Sequence, residues 1–310
     1  MKKITIIGTG YVGLVTGVGM AEFGNKVICS DIDKTKIDNL NTGIIPIYEP
    51  GLEEMIKSNI KNGRLSFSSN VKESILKSDV IVIAVGTPEG DDGKADMSFV
   101  FSVAETISSN LNNYKLVVTK STVPIGSGRI IVSIINNKID NSKSFDYVSN
   151  PEFLREGSAL KDFLWPDRVI IGTESEKAYE IMRNVYRPLY INKNPITHTS
   201  VETAEMIKYA SNSFLALKIS YINEIANLCE AVGADVHKVA RAMGQDGRIS
   251  DKFLHPGPGF GGSCFPKDLE ALLSISEDNN VKMKTVEAAI IANNYQKKRM
   301  VNKLINLFNG

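Results

Sequence analysis

The stretch Lys3-Ile-Thr-Ile-Ile-Gly8-Thr-Gly10-Tyr-Val-Gly13 decides the fold of this 310-residue chain. Its β-branched run is typical of a buried parallel strand, and residues 11–23 predict a helix that ends at Gly24. A second strand is predicted at residues 26–31. A strand, a glycine turn and a helix in this order are typical of a dinucleotide-binding unit.

Each glycine of the turn has its own physical role. Gly8 permits the tight turn, Gly10 lets the backbone approach a pyrophosphate, and Gly13 allows the helix to pack closely on the strand. N–H groups at the start of the helix stabilise phosphate. Asp31 ends the second strand, where a carboxylate accepts from both ribose hydroxyls and repels a 2′-phosphate. The pattern therefore predicts NAD, and not NADP, as the cofactor.

Further strand candidates alternate with helical stretches over the first part of the chain. They lie at residues 79–85, 116–120, 147–149 and 169–172. Strands that alternate with helices imply βαβ units and a parallel sheet covered on both faces. We therefore predict an α/β fold, with a Rossmann-type doubly wound parallel sheet over residues 1–198.

The pattern changes near Thr199. Thr199 and Glu202 form a predicted capping box, and an apolar stripe with helical spacing continues from there to Gly233. Such a helix would span about 33 residues and about 50 Å, which is long enough to link two domains or to dimerise. We predict that residues 199–310 form an α-helical central domain built on this helix.

Composition argues against several classes of function. The chain has 36 Lys+Arg and 35 Asp+Glu, so nucleic acid and anionic membranes are not expected as main partners. No apolar run reaches the roughly 18 residues of a spanning helix. The cysteines are odd in number and widely spaced, and the histidines are scattered, which favours neither disulfides nor a metal site. We expect a reduced, cytoplasmic protein.

The glycine-rich segment from Gly257 to Asp268 carries a candidate nucleophile. Cys29 lies in an apolar strand and Cys229 on a helix stripe, as is typical of core thiols. Cys264, by contrast, stands among glycines that let the backbone approach a ligand. A neighbouring cation such as Lys267 increases the thiolate fraction.

Three other segments are candidates for lining a cleft. Residues 120–124 (KSTVP) and 150–156 (NPEFLRE) each follow a predicted strand, and ligands of open α/β sheets bind beyond the carboxyl ends of the strands. Lys208 and Asn212 are four residues apart and share one helix face. Taken alone, each of the two loop segments is equally compatible with an ordinary loop, and the pair Lys208 and Asn212 is typical of a solvated surface.

Together these segments resemble the UDP-glucose/GDP-mannose dehydrogenase family over the whole chain and in family order. The shared segments are GTGYVG, KSTVPIG, NPEFLREGSA, AEMIKYASNSFLALKISYINE and GPGFGGSCFPKDL. The segment GPGFGGSCFPKDL is the most specific, and its sequence is similar to that of the UDP-glucose branch of the family. The GDP-mannose branch has a similar loop.

The resemblance implies a four-electron oxidation of the 6-hydroxyl of UDP-glucose to a carboxylate, with two NAD reduced in succession. It implies that Cys264 adds to the intermediate aldehyde as a thiohemiacetal. Loss of hydride from that adduct gives a thioester, which water cleaves. A covalent adduct keeps the aldehyde bound and presents a C–H for the second hydride transfer.

The resemblance also implies roles for five other catalytic residues. Lys208 and Asn212 would stabilise oxyanion charge. Asp268 would act with Lys208 in proton transfer. Thr122 and Glu156 would position the water used in the acid–base steps.

Two sets of binding residues follow from the same resemblance. Those for NAD are Gly8, Gly10, Tyr11, Val12, Gly13, Asp31, Lys36, Thr87, Thr122, Glu156 and Lys267. Those for UDP-glucose are Glu152, Phe153, Leu154, Arg155, Glu156, Lys208, Asn212, Arg248, Phe253, Leu254, His255, Pro256, Gly257 and Gly261. Arg248 matches a position that reaches the substrate of a neighbouring subunit, and the helix at 199–233 resembles the family's dimerisation element, so we expect a homodimer.

The family normally continues into a further nucleotide-sugar-binding domain, whereas this chain ends at Gly310. We therefore expect a truncated form in which substrate capture is affected. One alternative is a dimeric NAD-binding protein without turnover. Others are a dehydrogenase of GDP-mannose or another nucleotide sugar, and a 3-hydroxyacid or 6-phosphogluconate type of dehydrogenase, which needs no thiol.

Overall fold

A computed structural model of the protein describes residues 1–90, 93–139, 144–191 and 195–309. The chain divides into two compact units. The first comprises Met1–Pro88 and Asp96–Lys208, and the second comprises Glu89–Ala95 and Tyr209–Gly310.

The described strands form one sheet in the first unit. They are β1 Lys3–Ile7, β2 Lys26–Ser30, β3 Leu65–Ser68, β4 Val80–Ile83, β5 Lys115–Thr119, β6 Phe145–Ser149, β7 Val169–Gly172 and β8 Ile196–Thr199. Their order is β3-β2-β1-β4-β5-β6-β7-β8. Neighbouring strands are parallel except β6 and β7, which are antiparallel. The predicted doubly wound sheet is confirmed, with one antiparallel pairing added. Sequence reasoning missed β3 and β8, which are short strands at the two edges.

Helices connect the strands and make up most of the second unit. They are α1 Tyr11–Glu22, α2 Lys34–Asn41, α3 Leu52–Lys61, α4 Val71–Lys77, α5 Ser98–Asn110, α6 Ser127–Asn136, α7 Ala159–Leu164, α8 Glu176–Val185, α9 Arg187–Ile191, α10 Val201–Val232, α11 Val236–Gly244, α12 Phe265–Asp278 and α13 Lys284–Asn309. The division between the units falls within α10, after Lys208. The predicted helical domain built on one long helix is confirmed.

Alternation along the strands buries both faces of the sheet. In β4, Val80 and Val82 pack into one apolar cluster together with residues of α1 and α3. Ile81 and Ile83 pack into a second cluster with residues of α5 and α6. Because successive side chains of a strand point to opposite faces, a run of four apolar residues suits a strand covered on both sides. This arrangement leaves the carboxyl ends of β1, β2 and β4 to carry a ligand site.

The long helix α10 begins differently from the prediction. Thr199 is the last residue of β8, and the hydroxyl of Ser200 accepts the N–H of Thr203 at 3.2 Å. The predicted capping by Thr199 was therefore wrong, because the backbone of that residue belongs to the sheet. The predicted end is confirmed, since α10 stops at Val232 and Gly233 adopts a left-handed φ of 73°.

Glu205 joins the first part of α10 to the start of α6. Its buried carboxylate accepts the N–H of Gly126 at 2.6 Å and that of Gly128 at 2.8 Å. Burial raises the pKa of Glu205 to about 7, although the two N–H donors oppose this effect. The folded protein therefore binds a proton at Glu205 more tightly than the unfolded chain does.

We expect Glu205 to make stability fall as pH rises. Its pKa moves from 4.5 in the unfolded chain to about 7 in the folded protein, so the free energy of unfolding declines between these pH values. The decline amounts to about 3 kcal/mol. Glu205→Gln does not titrate and should lack it in urea unfolding measured from about pH 5 to about pH 8. Glu73→Gln is the control, because the bond to Lys77 lowers the pKa of this exposed carboxylate and confines its effect to lower pH. Equal slopes for the wild type and Glu205→Gln would contradict the prediction.

Candidate active site

Two of the three turn glycines are required by the fold itself. Gly8 has a φ of 100°, and a Cβ atom there would lie 2.6 Å from the carbonyl oxygen of Ala84. A Cβ at Gly13 would lie 1.9 Å from the carbonyl oxygen of Gly8. At Gly10, the residue before α1, a Cβ would meet no atom within 4 Å, and its φ of −71° suits any residue. The fold itself therefore does not require glycine at position 10, and the predicted role of Gly10 in letting a pyrophosphate approach stays a prediction.

This difference predicts opposite outcomes for two alanine substitutions. Gly10→Ala should leave the free energy of unfolding unchanged and raise the dissociation constant for NAD at least about tenfold, because the methyl group would stand where the pyrophosphate approaches the helix. Gly13→Ala should destabilise the protein by roughly 1–3 kcal/mol through overpacking. Calorimetric titration with NAD and urea unfolding measure the two effects. Normal NAD affinity in Gly10→Ala would exclude this mode of binding.

Asp31 lies directly after β2 as an ionised carboxylate. It accepts the backbone N–H and the hydroxyl of Thr9, both at 2.8 Å, and the N–H of Asp33 at 3.0 Å. The ammonium of Lys36 is 3.2 Å away. Partial burial on its own would raise the pKa of Asp31, but these donors hold it below its usual value. A negative charge fixed beside the glycine turn fits the ribose of NAD.

Tyr11, the first residue of α1, is tied to two distant segments. Its hydroxyl donates to the carboxylate of Glu49 and accepts the N–H of Gly157 at 2.8 Å. Glu49 also accepts the N–H groups of Gly157 at 3.0 Å and Leu160 at 3.2 Å. Burial, helped by the bond to Glu49, raises the pKa of Tyr11 to about 12. Sequence reasoning missed Glu49, because a glutamate in a Pro- and Gly-containing stretch is indistinguishable from a surface residue.

The segments after β4 and β5 meet through Thr87 and Thr122. The buried hydroxyl of Thr87 donates to the carbonyl oxygen of Thr122 at 2.9 Å. The next residue toward β5, Ser121, donates its hydroxyl to the carbonyl oxygen of Val85 at 2.6 Å. These bonds fix two of the predicted NAD residues at the carboxyl edge of the sheet.

Glu152 and Lys208 form a buried ion pair that the sequence did not predict as a pair. The ammonium of Lys208 lies 2.8 Å from Oε1 of Glu152, and the N–H of Leu154 donates to Oε2 at 2.6 Å. Burial alone would raise the pKa of Glu152, but Lys208 and this N–H hold it below its usual value. The ring of Phe153 lies 5.4 Å from the Lys208 ammonium and 3.9 Å from the guanidinium of Arg168. Four of the predicted substrate residues therefore lie together in the first unit, namely Glu152, Phe153, Leu154 and Lys208.

Arg155 and Glu156, the last two residues of the segment 150–156, are exposed. The guanidinium of Arg155 binds the carboxylate of Asp162 at 2.5 Å, and the same carboxylate accepts the backbone N–H of Arg155. Glu156 is exposed to solvent. Their roles toward substrate and water stay predictions.

In the second unit, Cys264 lies at the N-terminus of α12. It is exposed, it precedes the first helical residue, and Pro266 follows in the first turn. Its sulfur is 3.8 Å from the hydroxyl of Ser263. Free N–H groups and the dipole at a helix N-terminus attract negatively charged groups of a ligand. The two other cysteines are buried, as predicted for core thiols.

Asp268 is a buried carboxylate one turn along α12. It accepts the side-chain amide of Asn212 at 2.6 Å and the ammonium of Lys267 at 2.6 Å. Asn212 is itself buried. The bond to Asp268 orients the Asn212 amide, and the positive charge of Lys267 balances the charge of the carboxylate. The two predicted catalytic residues, Asn212 and Asp268, therefore form one bonded cluster with Lys267.

Amide side chains hold the glycine-rich loop in place. The N–H of Gly257 donates to Asn223 at 2.7 Å, and Gln296 donates to the carbonyl oxygen of Gly257 at 2.8 Å. Asn293 bonds both the N–H and the carbonyl oxygen of Phe260, at 2.7 and 3.0 Å. None of the three amides was predicted. Both helices carry several other uncharged polar residues, such as Asn227 and Asn302, so no signal in the sequence distinguishes these three amides.

The other predicted substrate residues of the second unit differ in exposure. Leu254 is buried in a small apolar cluster with Ile222 and Ala240. Phe253 has a left-handed φ of 66°, and its ring packs edge-on against Phe265. Four other residues are at least partly exposed, namely His255, Pro256, Gly257 and Gly261. Arg248 is 90% exposed and pairs with Asp246 at 2.6 Å.

Among residues 1–90, 93–139, 144–191 and 195–309, no group of three or more His, Cys, Asp or Glu side chains is arranged to hold a metal ion. None of the helices in these ranges combines the length and the apolar character needed to cross a membrane.

A doubly wound sheet with this glycine turn and this carboxylate defines an α/β protein with a dinucleotide site. Comparison with known proteins identifies its family. The NAD binding domain of the UDP-glucose/GDP-mannose dehydrogenase family matches residues 2–190, and the central domain of that family matches residues 202–295. The chain belongs to the UDP-glucose/GDP-mannose dehydrogenase family. The predicted family and its cofactor, NAD, are therefore confirmed.

Three of the relatives are named as UDP-glucose dehydrogenases. The chain is 52% identical over 305 residues to UDP-glucose 6-dehydrogenase TuaD of Bacillus subtilis. This match covers 98% of the present chain and 66% of the relative. It is 51% identical over 306 residues to UDP-glucose 6-dehydrogenase of Rhizobium meliloti, covering 98% of this chain and 70% of the relative. A solved UDP-glucose dehydrogenase from Pyrobaculum islandicum superimposes with a TM-score of 0.96 at 39% identity, covering 100% of this chain and 72% of that one. The chain thus spans about two thirds of the length of the curated relatives that it matches.

Proposed function

We propose that this chain oxidises the 6-hydroxyl of UDP-glucose to the carboxylate of UDP-glucuronate, with two NAD reduced for each substrate. The observation that carries the proposal is the exposed Cys264 at the N-terminus of α12, within the loop held by Asn223, Asn293 and Gln296. A single alcohol oxidation has no use for such a thiol, whereas in the oxidation of an aldehyde to an acid a thiol can hold the aldehyde as a covalent adduct. The relatives named UDP-glucose 6-dehydrogenase support the choice of substrate.

Cys264 divides the second oxidation into simpler steps. The thiolate forms a bond from sulfur to the carbonyl carbon of the aldehyde, and the oxygen takes up a proton to give a thiohemiacetal. That carbon then loses a hydride while the hydroxyl loses its proton, which leaves a thioester. Water adds to the thioester carbonyl, the carbon–sulfur bond breaks, and the acid and the free thiol are released. NAD, when bound at the glycine turn, accepts one hydride in each oxidation.

The other proposed catalytic residues act on charge and water. The Lys208 ammonium and the Asn212 amide stabilise oxyanion charge, since each can donate from a buried, oriented position. Asp268 acts with Lys208 in proton transfer. Thr122 and Glu156 position the water that cleaves the thioester.

Domain boundaries, assembly and location belong to the same proposal. We propose a boundary between residues 198 and 199, and a homodimer formed through the helix at 199–233. In the second unit, Phe214, Tyr221 and Leu228 of α10 are 61%, 48% and 58% exposed. Their seven-residue spacing places them on one helical stripe, as in helices that pair with a second copy. Arg248 then reaches the substrate of the neighbouring subunit, and the dimer works in the cytoplasm.

One observation favours a second candidate function. The predicted NAD residues Thr87 and Thr122 are bonded to each other at the carboxyl edge of the sheet, whereas the match to the two relatives named UDP-glucose 6-dehydrogenase covers 66% and 70% of their length. This candidate is a dimeric NAD-binding protein without turnover. It differs from the main proposal in predicting normal NAD binding and no NADH.

The stoichiometry of the reaction tests the proposal. With UDP-glucose limiting and NAD in excess, absorbance should give about two NADH for each UDP-glucose consumed, because each sugar undergoes two hydride transfers. GDP-mannose in a parallel assay tests the choice of nucleotide sugar. A ratio near one would overturn the thioester route. No NADH from a folded preparation that still binds NAD would favour the second candidate.

A further inference from the structure

Gln296 of α13 takes part in two hydrogen bonds that connect the glycine-rich loop with α10. It is buried, with 4% of its surface exposed. Its Nε2 donates to the carbonyl oxygen of Gly257 at 2.8 Å, and its Oε1 accepts Nδ2 of Asn227 at 2.9 Å. Asn227 lies on α10, one turn beyond Asn223, which accepts the N–H of Gly257 at 2.7 Å. Both backbone polar groups of Gly257 are therefore bound by amide side chains of the second unit.

The series of hydrogen bonds continues from Asn227 to the surface of the second unit. Oδ1 of Asn227 accepts Nε of Arg299 at 2.7 Å. The same guanidinium donates to Glu230 at 2.6 Å, and the ammonium of Lys303 binds that carboxylate at 2.6 Å. The side chain of Arg299 is 28% exposed and that of Glu230 is 51% exposed. A surface ion pair is thus connected to the loop through two amides.

The chemistry of the two ends determines how both amides are oriented. A guanidinium only donates hydrogen bonds, and a carbonyl oxygen only accepts them. Asn227 therefore turns its oxygen to Arg299, which leaves its NH₂ group for Gln296. Gln296 then presents its oxygen to Asn227 and its NH₂ group to Gly257. Both ends require the same arrangement, so every donor in the series points from Arg299 toward the loop.

Helical spacing places each half of the series on one face of its helix. On α10 the residues are Asn223, Asn227 and Glu230, and on α13 they are Gln296, Arg299 and Lys303. Residues three or four positions apart lie on the same side of a helix. A further bond between the two helices, from the buried hydroxyl of Ser220 to the carbonyl oxygen of Ala289 at 2.8 Å, supports their alignment.

We propose that Arg299, acting through Asn227 and Gln296, positions the carbonyl group of Gly257 and with it the part of the loop that receives the sugar nucleotide. The three side chains are positioning residues, because they act on the loop and do not reach the reacting atoms. The kinetic part of the proposal rests on the proposed function, in which residues 253–257 bind UDP-glucose. The structural part, that these side chains fix Gly257, does not.

Asn227→Asp tests the orientation of the amides with little change in size. The introduced carboxylate still accepts the N–H of Arg299, but it has no hydrogen to donate to Gln296. Gln296 then turns its NH₂ group toward the carboxylate and its oxygen toward Gly257, where two acceptors repel each other. The substitution should therefore strengthen the bond between α10 and α13 and still loosen the loop. Asn227 is only half-buried, so the variant is expected to fold.

Amide hydrogen exchange of the full chain, followed by NMR, measures this loosening without any need for turnover. The N–H of Gly257 should exchange roughly tenfold faster in Asn227→Asp and in Gln296→Met than in the wild type, since one hydrogen bond of the loop is lost. The N–H of Leu272, a buried residue within α12, should exchange at the wild-type rate. Equal acceleration at Leu272 would mean that the whole unit is destabilised and would overturn the proposal.

Asn294 provides a matched control on α13. It is exposed and stands two residues before Gln296, so Asn294→Asp makes the same chemical change and adds the same charge. Exchange at Gly257 should stay at the wild-type rate in this variant. Similar acceleration in Asn294→Asp and Asn227→Asp would overturn the proposal, as would wild-type exchange in Asn227→Asp. If Gln296→Met does not fold, Asn227→Asp decides the question alone.

Steady-state kinetics test the consequence for the sugar nucleotide. In Asn227→Asp, KM for UDP-glucose should rise roughly tenfold while KM for NAD stays unchanged, because the glycine turn and Asp31 belong to the first unit. Asn294→Asp should keep both values. An unchanged KM for UDP-glucose, or an equal rise in both, would overturn the kinetic part of the proposal. If the wild type does not oxidise UDP-glucose, the proposed function fails, while exchange at Gly257 still decides the role of the three side chains.

Discussion

Cys264→Ser should abolish the formation of UDP-glucuronate, with a loss of at least about 10³-fold in turnover. Serine keeps the size and the position at the start of α12 but is a poor nucleophile without a base to activate it. The first oxidation does not require the thiol, so a small amount of NADH should still form from UDP-glucose. The measurement is NADH by absorbance together with the uronate product by chromatography.

Cys229→Ala is the matched control for this substitution. Cys229 lies in the same unit but is buried in α10, so its removal should change the free energy of unfolding and leave the ratio of about two NADH per substrate intact. Full uronate formation by Cys264→Ser would contradict the thioester route. Comparable losses in both variants would point to a structural effect.

Lys208→Met should combine a loss of turnover with a large loss of stability. The substitution leaves the buried carboxylate of Glu152 without its partner at 2.8 Å, which costs about 3–5 kcal/mol of unfolding free energy at neutral pH. Removing the cation also raises the affinity of Glu152 for a proton. The loss should therefore be smaller at about pH 5 than at about pH 8, as measured by urea unfolding.

The double variant Glu152→Gln with Lys208→Met separates the two effects. A neutral amide has no charge to leave unpaired, so most of the lost stability should return while turnover stays low. Stability losses that simply add in the double variant would contradict the ion-pair explanation. Recovery of turnover together with stability would show that Lys208 acts only through folding.

Local patterns made the fold and part of the site predictable. The β-branched runs predicted the central strands, and the glycine turn with Asp31 predicted the NAD site. Gly233 predicted the end of α10, because a left-handed φ after a long apolar stripe favours glycine. These signals lie within a few residues of one another, so one sequence is enough to read them.

The contacts that hold the site together were not predictable in this way. Glu49, Asn150 and Asn293 bind backbone groups that are far away along the chain, and each is a residue type that is common on protein surfaces. The pairing of Glu152 with Lys208 spans 56 residues. The prediction that Thr199 caps α10 was wrong for a related reason, since the pairing of β8 with β7 decides the conformation of Thr199.

The bonds around Tyr11 have a consequence for the order in which a ribosome can complete the cofactor site. Thr9 and Asp31 are 22 residues apart, so their contact can form soon after the second strand emerges. The bond between Tyr11 and Gly157 spans 146 residues and must wait for most of the first unit to be synthesised. At about 5–20 residues per second, the two events are separated by several seconds. A nascent chain would therefore form the contact between Thr9 and Asp31 well before the glycine turn is anchored to the segment that follows β6.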